Sequence, residues 1–325
     1  MVLAAIPSPS RGVVHLGPIP LRGYALMIIL GILVAVMLSE RRLRARGESP
    51  GLAADLATWA VPFGIIGARI YSVVTTPGPY FGSGGDPVQA LEIWKGGLGI
   101  WGGVLGGALG AYICVRRRGT SLGLVADACA PGLVIAQGIG RWGNWFNQEL
   151  YGRPTNLPWA VTIDPGKRID PTVAHYQPTF LYESIWDIGI GLILLWIDRR
   201  HRLGRARLFT LYVAFYTLGR AWIEALRIDD AEHFFGVRLN DWVCLVVFVA
   251  AVIAFATNRR PVDPDVPPSA PDETASPGTQ PTATSGTLTA TATRAGSPDP
   301  SADPEPSATP ADDQARADDQ ASADT

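Results

Sequence analysis

Apolar residues along this chain fall into seven long blocks separated by polar segments, over about 23–38, 52–74, 96–115, 122–146, 179–197, 208–226 and 242–256. Each approaches the roughly 20 residues that an α-helix needs to cross about 30 Å of hydrocarbon. A backbone in lipid must satisfy its own hydrogen bonds, so helices are the expected form. The predicted fold is an all-α polytopic membrane protein with seven transmembrane helices. The second block is interrupted by Pro62 and carries Arg69, and the third is rich in glycine.

The polar segments give the chain a direction. Arginines crowd 41–46, 116–118, 199–207 and 259–260, which are alternate connections. The opposite connections hold only Arg11 and Arg22, Lys95, then Arg153, Lys167 and Arg168, then Arg238. Basic loops stay in the cytoplasm, so the N-terminus is expected outside and the C-terminus inside. No basic stretch followed by an apolar core and a small-residue cleavage site precedes the first block, which is expected to serve as the targeting signal itself.

Two outer loops have patterns of their own. The segment 87–94 spaces its apolar residues as a short interfacial helix would, with Trp94 at its end. Residues 159–163 have strand-like content, so 152–177 is expected to hold a small strand pair as an outer-face extramembrane element. Residues 1–21, with Pro7, Pro9, Pro18 and Pro20, read as an irregular outer lead-in to a catalytic membrane domain over 22–257. From 258 to 325 the chain is acidic and rich in Pro, Ala, Ser and Thr. Such a segment buries too little apolar surface to offset its ordering entropy, and it reads as a disordered, dispensable cytoplasmic tail.

Composition narrows the chemistry. Hydrophobic residues make up 47% of the chain and charged ones 17%, with a net charge of −2. That balance offers no basic face to nucleic acid. Cys114, Cys129 and Cys244 each sit inside an apolar block, with no CxxC pair, so neither a disulfide framework nor a zinc site is expected. His15, His175, His201 and His233 fall in loops or the lead-in, none pairs convincingly for a metal, and no Ser-His-Asp order stands out. No metal and no cofactor are expected.

What remains is the segment 140–152, GRWGNWFNQELYG, at the outer end of the fourth block. It brings Arg141, Asn144, Asn147 and Glu149 to membrane depth, where ionisable groups face one another, a polar cavity or a substrate. Arg220, near the outer end of the sixth block, is a second such cation. Arginine suits bidentate recognition of phosphate or carboxylate. The bland alternative is two structural ion pairs, Arg141 with Glu149 and Arg220 with Glu224, the latter at helical i,i+4 spacing. Gly138, Gly140 and Gly143 suit close helix packing or exposure of backbone N–H groups to an anion. Tyr24 and Tyr216 are candidate hydrogen-bond donors, although aromatic belts account for many such tyrosines. Tyr182, Glu183 and Asp127 are further polar groups at depth, with structural hydrogen bonding as their plainer reading. Residues alone thus lead to a membrane protein with an arginine-rich outer site suited to an anionic lipid head group.

The segment 140–152 also resembles the signature of bacterial prolipoprotein diacylglyceryl transferases. Ordered matches accompany it: Tyr24 to Met27 after Leu21 and Arg22, Lys95 to Leu98, Asp127 with Pro131, Gln177 to Glu183, and Tyr216 to Arg220 on through Glu224 to Arg227. The resemblance covers 20–257 and leaves the tail outside. It implies transfer of a diacylglyceryl group from phosphatidylglycerol to the lipobox cysteine thiol of a preprolipoprotein signal peptide. A thioether forms, glycerol phosphate is released, and the enzyme lies in the bacterial cell inner membrane, with the lipid bilayer around it. The resemblance further implies that Arg141 and Arg220 hold the phosphate as charge grows on it, and that Asn144, Asn147 and Glu149 fix the head group or orient Arg141. Tyr24 and Tyr216 would add hydrogen bonds; Gly152, Glu224, Arg227 and Asp127 complete the expected site. One departure stands out: many members carry a His, proposed as a base, in the third span where this chain has Trp101, which is expected to pack against lipid or substrate instead. That leaves the proton acceptor open among Glu149, a tyrosine such as Tyr24 and a lipid phosphate oxygen. The alternatives are a lipid or small-anion transporter, or an inactive paralogue.

Overall fold

The computed structural model of the protein describes residues 5–16, 19–201, 203–229 and 233–258. The expected tail, apart from Asn258, lies outside the described residues, as do Pro18, Arg202, Arg259 and Arg260 and the side chains of His15 and His233. Among the described residues, seven helices of 19–26 residues dominate: α1 (Gly23–Arg44), α2 (Leu52–Thr75), α3 (Ile100–Arg118), α4 (Leu122–Asn147), α5 (Thr179–His201), α6 (Arg207–Leu226) and α7 (Leu239–Thr257). Five of them, α1, α2, α4, α5 and α7, are long and apolar enough to cross a membrane. Glycines dilute α3, and Arg220 and Glu224 dilute α6. The chain is a mostly helical, multi-pass membrane protein.

Charged side chains knit one end of the bundle. Arg42 near the end of α1 donates to the carbonyls of Ala128 (2.8 Å) and Asp127 (2.9 Å) on α4. It also pairs with Asp198 on α5 at 3.0 Å, and Arg46 reaches the same carboxylate at 2.8 Å. Arg118 at the end of α3 pairs with Asp55 at the start of α2. The arginine-rich connections of α1, α3 and α5 therefore gather at one end, where cations also suit the helix C-termini.

Helix packing rests on close backbone approach. The helices α2 and α3 meet through glycines: a Cβ on Gly67 would strike the Gly102 carbonyl, and one on Gly106 the Phe63 carbonyl. Small-residue contacts of this kind let membrane helices gain dispersion without hydrophobic driving force. Elsewhere α1 packs on α4, α4 on α5, and α6 on α7.

Three expectations need correction. The third helix starts at Ile100 rather than 96, because Gly96 and Gly97 adopt positive φ angles of 91° and 72° and precede it. Arg69 explains why. Its guanidinium is buried in α2 and takes the carbonyls of Ala90 (2.8 Å), Gly96 (2.6 Å), Gly97 (2.9 Å) and Gln89. Those carbonyls turn inward, so the segment expected as one interfacial helix is two 3-10 turns, Pro87–Leu91 and Ile93–Lys95, broken at Glu92.

The lead-in is the third correction, since it is ordered β structure. Strand β1 (Ile6–Pro7) runs parallel to β4 (Val161–Thr162), which pairs antiparallel with β5 (His175–Tyr176). Between them in sequence, β2 (Val13–Leu16) and β3 (Ile19–Arg22) form a hairpin leading into α1. Pro7 is tolerated because β1 is an edge strand, where a missing N–H costs the sheet little. The strand pair expected within 152–177 is β4–β5. A second small hairpin, β6 (His233–Phe234) with β7 (Val237–Arg238), precedes α7. Val161, Ile163 and Tyr176 pack with Tyr151 and Phe180 against Trp142 and Trp145, so the three-stranded sheet sits on the last turns of α4.

The α2–α3 contact is directly testable. Gly106→Leu forces the two backbones apart and is expected to cost about 1–3 kcal/mol, read as a lowered melting temperature in detergent. Unchanged melting would contradict the close contact.

Candidate active site

The ends of three helices converge on one carboxylate. Glu183, one turn into α5, is only 6% exposed. Its Oε2 pairs with Arg141 Nε from α4, and its Oε1 accepts from Arg220 Nη1 of α6 at 2.7 Å. Arg141 Nη2 donates to the phenol oxygen of Tyr216 at 3.3 Å, while Arg220 Nη2 lies 2.6 Å from Glu224 Oε2. A small cavity opens between them, lined by Arg141, Glu183, Asp187, Tyr216, Arg220 and the wall of Trp186. Arginine carries five N–H donors. Nη1 of Arg141 makes no hydrogen bond among the described residues, so this side keeps donor capacity for an anion.

The network continues outward from Glu224. Arg238 Nη1 reaches Glu224 Oε1 at 3.0 Å, Asn240 donates to Oε2 at 3.2 Å, and Arg227 lies 3.6 Å away. Arg227 also grips Asp229 through two bonds of 2.7 and 2.8 Å. Glu224 is thus an anchor for arginines.

The 140–152 segment wraps around the same end. Asn144 Nδ2 (3.0 Å) and Asn147 Nδ2 (3.2 Å) both donate to Glu149 Oε1. Glu149 therefore binds the two amides, and the ion pair considered between it and Arg141 is not formed; Glu183 takes Arg141 because α5 carries it alongside the guanidinium. The Arg220–Glu224 pair is formed as the spacing suggested. Tyr24 at the start of α1 lies against Gly143, where a Cβ would sit 2.7 Å from the ring, and it is within electrostatic reach of Glu149 and Arg141. Gln148 has a positive φ of 55°, which ends α4, and its amide bonds Pro9 O and Asp164 Oδ2, both at 2.8 Å. Tyr151 donates to Lys167 O (2.7 Å) and accepts from Ile169 N (2.8 Å); burial pushes its phenol pKa up and keeps the donor protonated.

The remaining predicted residues are placed differently. Gly152 bridges to Arg227, and a Cβ there would lie 3.0 Å from the Leu226 carbonyl, a tight approach that a larger residue fits only if its neighbours shift by a few tenths of an ångström. Asp127 is fourteen residues before Arg141 on α4, about 20 Å away at 1.5 Å per residue. It is not brought to the cavity. Its Oδ1 accepts from Phe209 N at 2.8 Å, capping the start of α6. Trp101 lies 44% exposed at the head of α3, and the ion partners of Arg141 and Arg220 all come from α5 and α6.

Three participants were not among the predicted site residues: Glu183 as the bridge, Asp187 one turn below it, and Arg238. Glu183 was visible as a polar group at depth and as the end of the match over 177–183, but not as a site residue. Two acids at i,i+4 in an apolar block, on one helix face, were the available signal.

Residues 11–257 match the family model for prolipoprotein diacylglyceryl transferase. The chain belongs to this family. Relatives described as phosphatidylglycerol–prolipoprotein diacylglyceryl transferase bear this out. One from Frankia alni is 66% identical over 268 residues, covering 82% of this chain and 71% of the relative. One from Frankia casuarinae is 61% identical, covering 82% and 65%. One from Streptomyces coelicolor is 57% identical, covering 80% and 76%. The family match contains every residue of the cavity and all seven long helices; β1 and the tail lie outside it.

Geometry separates Asp127 from the other candidates. Asp127→Ala removes a helix cap and is expected to lower stability by about 0.5–2 kcal/mol, with turnover per folded molecule held within about threefold. Unchanged melting with turnover down ~100-fold would place Asp127 in the chemistry.

Proposed function

We propose that this protein transfers the diacylglyceryl group of phosphatidylglycerol to the lipobox cysteine of preprolipoproteins, at the outer face of the bacterial cytoplasmic membrane. One observation carries the reading: two arginines from separate helices share a buried carboxylate beside a cavity, in a chain of the diacylglyceryl transferase family. The cysteine sulfur attacks the glycerol carbon that bears the phosphate oxygen. A C–S bond forms, the C–O bond breaks, and glycerol phosphate leaves with the bonding pair. The phosphate gains a second negative charge as it departs.

Arg141 and Arg220 hold that phosphate and stabilise the growing charge. Preorganised donors of this kind are often the largest catalytic term, because they need no reorganisation during reaction. Glu183 fixes both guanidinium groups, Tyr216 steadies Arg141, and Glu224, itself held by Arg227 and Arg238, steadies Arg220. Glu149, held by Asn144 and Asn147, faces the head-group glycerol together with Tyr24. Gly152 lets the loop close over the end of α6. The same cations favour the cysteine thiolate, whose free pKa is about 8.5. Trp101, exposed on α3, meets lipid acyl chains, and Asp127 serves at a distance by setting the start of α6.

The seven long helices support a seven-span catalytic unit over 22–257. Basic helix ends gather at one end of the bundle and the 140–152 segment lies at the other. That separation supports an external N-terminus, an internal C-terminus and an outward-facing site. The segment 258–325 is then a dispensable cytoplasmic tail.

Purified protein incubated with phosphatidylglycerol and a lipobox peptide is expected to add a diacylglyceryl mass to the cysteine. Arg141→Ala and Arg220→Ala should each slow this by about 10²–10³-fold. No mass increment from the wild-type protein would sink the assignment.

A further inference from the structure

The transfer proposed above releases the thiol proton, and the site must send it somewhere. The carboxylates already described are poorly placed to take it. Glu183 has each oxygen on an arginine, and Glu224 is held by Arg220, Arg227, Arg238 and Asn240. Glu149 gives Oε1 to two amide donors and lies out at the exposed rim.

Asp187 is different. It lies one helical turn inward from Glu183 on the same face of α5, is 3% exposed, and lines the cavity that Arg141, Glu183, Tyr216 and Arg220 share. No hydrogen-bond donor among the described residues reaches its Oδ2. The groups facing it are Arg141 from α4, Tyr212, Tyr216 and Arg220 from α6, and Glu183 on its own helix. Glycine at 138 permits this placement, since a Cβ there would lie 3.2 Å from the Asp187 Cβ and 3.1 Å from the Ser184 carbonyl. A buried carboxylate oxygen left without a donor is costly; Asp127 Oδ2 is in the same state among the described residues, but of the two only Asp187 lines the cavity.

We propose that Asp187 is the proton acceptor for the substrate thiol, an inference that rests on the transferase reading. The step balances. The S–H proton passes to Asp187 Oδ2, the sulfur forms the C–S bond, and the C–O pair leaves with glycerol phosphate. The carboxylate loses one negative charge as the phosphate monoanion becomes a dianion, so the charge facing Arg141 and Arg220 is conserved through the reaction. A base elsewhere would leave an additional negative charge in this low-dielectric cavity.

The test compares a lipobox peptide with its selenocysteine counterpart, whose selenol is ionised at neutral pH and needs no base. In Asp187→Asn, the rate with the cysteine peptide should fall by about 100-fold, and the selenocysteine rate by less than about threefold. The wild-type kcat/KM should fall at acid pH as the acceptor protonates, and that limb should vanish in Asp187→Asn. Equal losses for both peptides, or an unchanged acid limb, overturn the proposal. If Asp187→Asn does not fold, Asp187→Glu decides it: the acid limb moves if this residue is the acceptor and stays if it is not. Absence of product from the wild-type protein with either peptide would instead count against the transferase reading.

Discussion

A carboxylate between two guanidinium groups is the contact on which this molecule's working end depends. Glu183 is withdrawn from water and holds Arg141 on one oxygen and Arg220 on the other. Burying such charges costs several kcal/mol per ion, and removing one partner typically costs about 3–5 kcal/mol because the others are left uncompensated. The contact also joins α4, α5 and α6, so their relative positions and the cavity between them are set together. Without Glu183, two like charges would repel across the gap that a phosphate is proposed to occupy.

The two ends of the bundle use arginine in different ways. At the basic end, Arg42 spends Nε, Nη1 and Nη2 on Ala128, Asp198 and Asp127, which ties three helices and leaves little to offer a ligand. Arg69 is likewise consumed by backbone carbonyls. At the other end, among the described residues, Arg141 Nη1 makes no hydrogen bond and the neighbouring Asp187 Oδ2 receives none, both beside a cavity. The β-sheet serves that second end, because Gln148 and Tyr151 fasten the 140–152 segment to Pro9, Asp164 and the 165–169 loop.

Much of this was legible in the sequence, for physical reasons. Seven apolar blocks became seven long helices because a lipid-exposed backbone has few other options. Arg141 and Arg220 stood out because charges at membrane depth are rare and need a purpose. The partner of Arg141 was not legible: Glu149 is near in sequence, but Glu183 arrives from another helix, and only tertiary packing brings it there. Asp127 was expected in the site through the resemblance, yet on the same helix the rise to Arg141 is about 20 Å. The prolines of the lead-in hid β1, since an edge strand tolerates proline. The start of α3 was missed because Arg69 draws the Gly96 and Gly97 carbonyls inward, a long-range contact that local glycine content does not announce.

The central claim is that Arg141 and Arg220 act as one phosphate clamp set by Glu183. Phosphatidylglycerol affinity, measured without any thiol substrate for the wild type, Arg141→Ala, Arg220→Ala and the double variant, tests it most directly. A shared clamp predicts that either single substitution loses nearly as much affinity as both together, a coupling above about 1 kcal/mol in the double-mutant cycle. Additive losses, or binding indifferent to both substitutions, would contradict it.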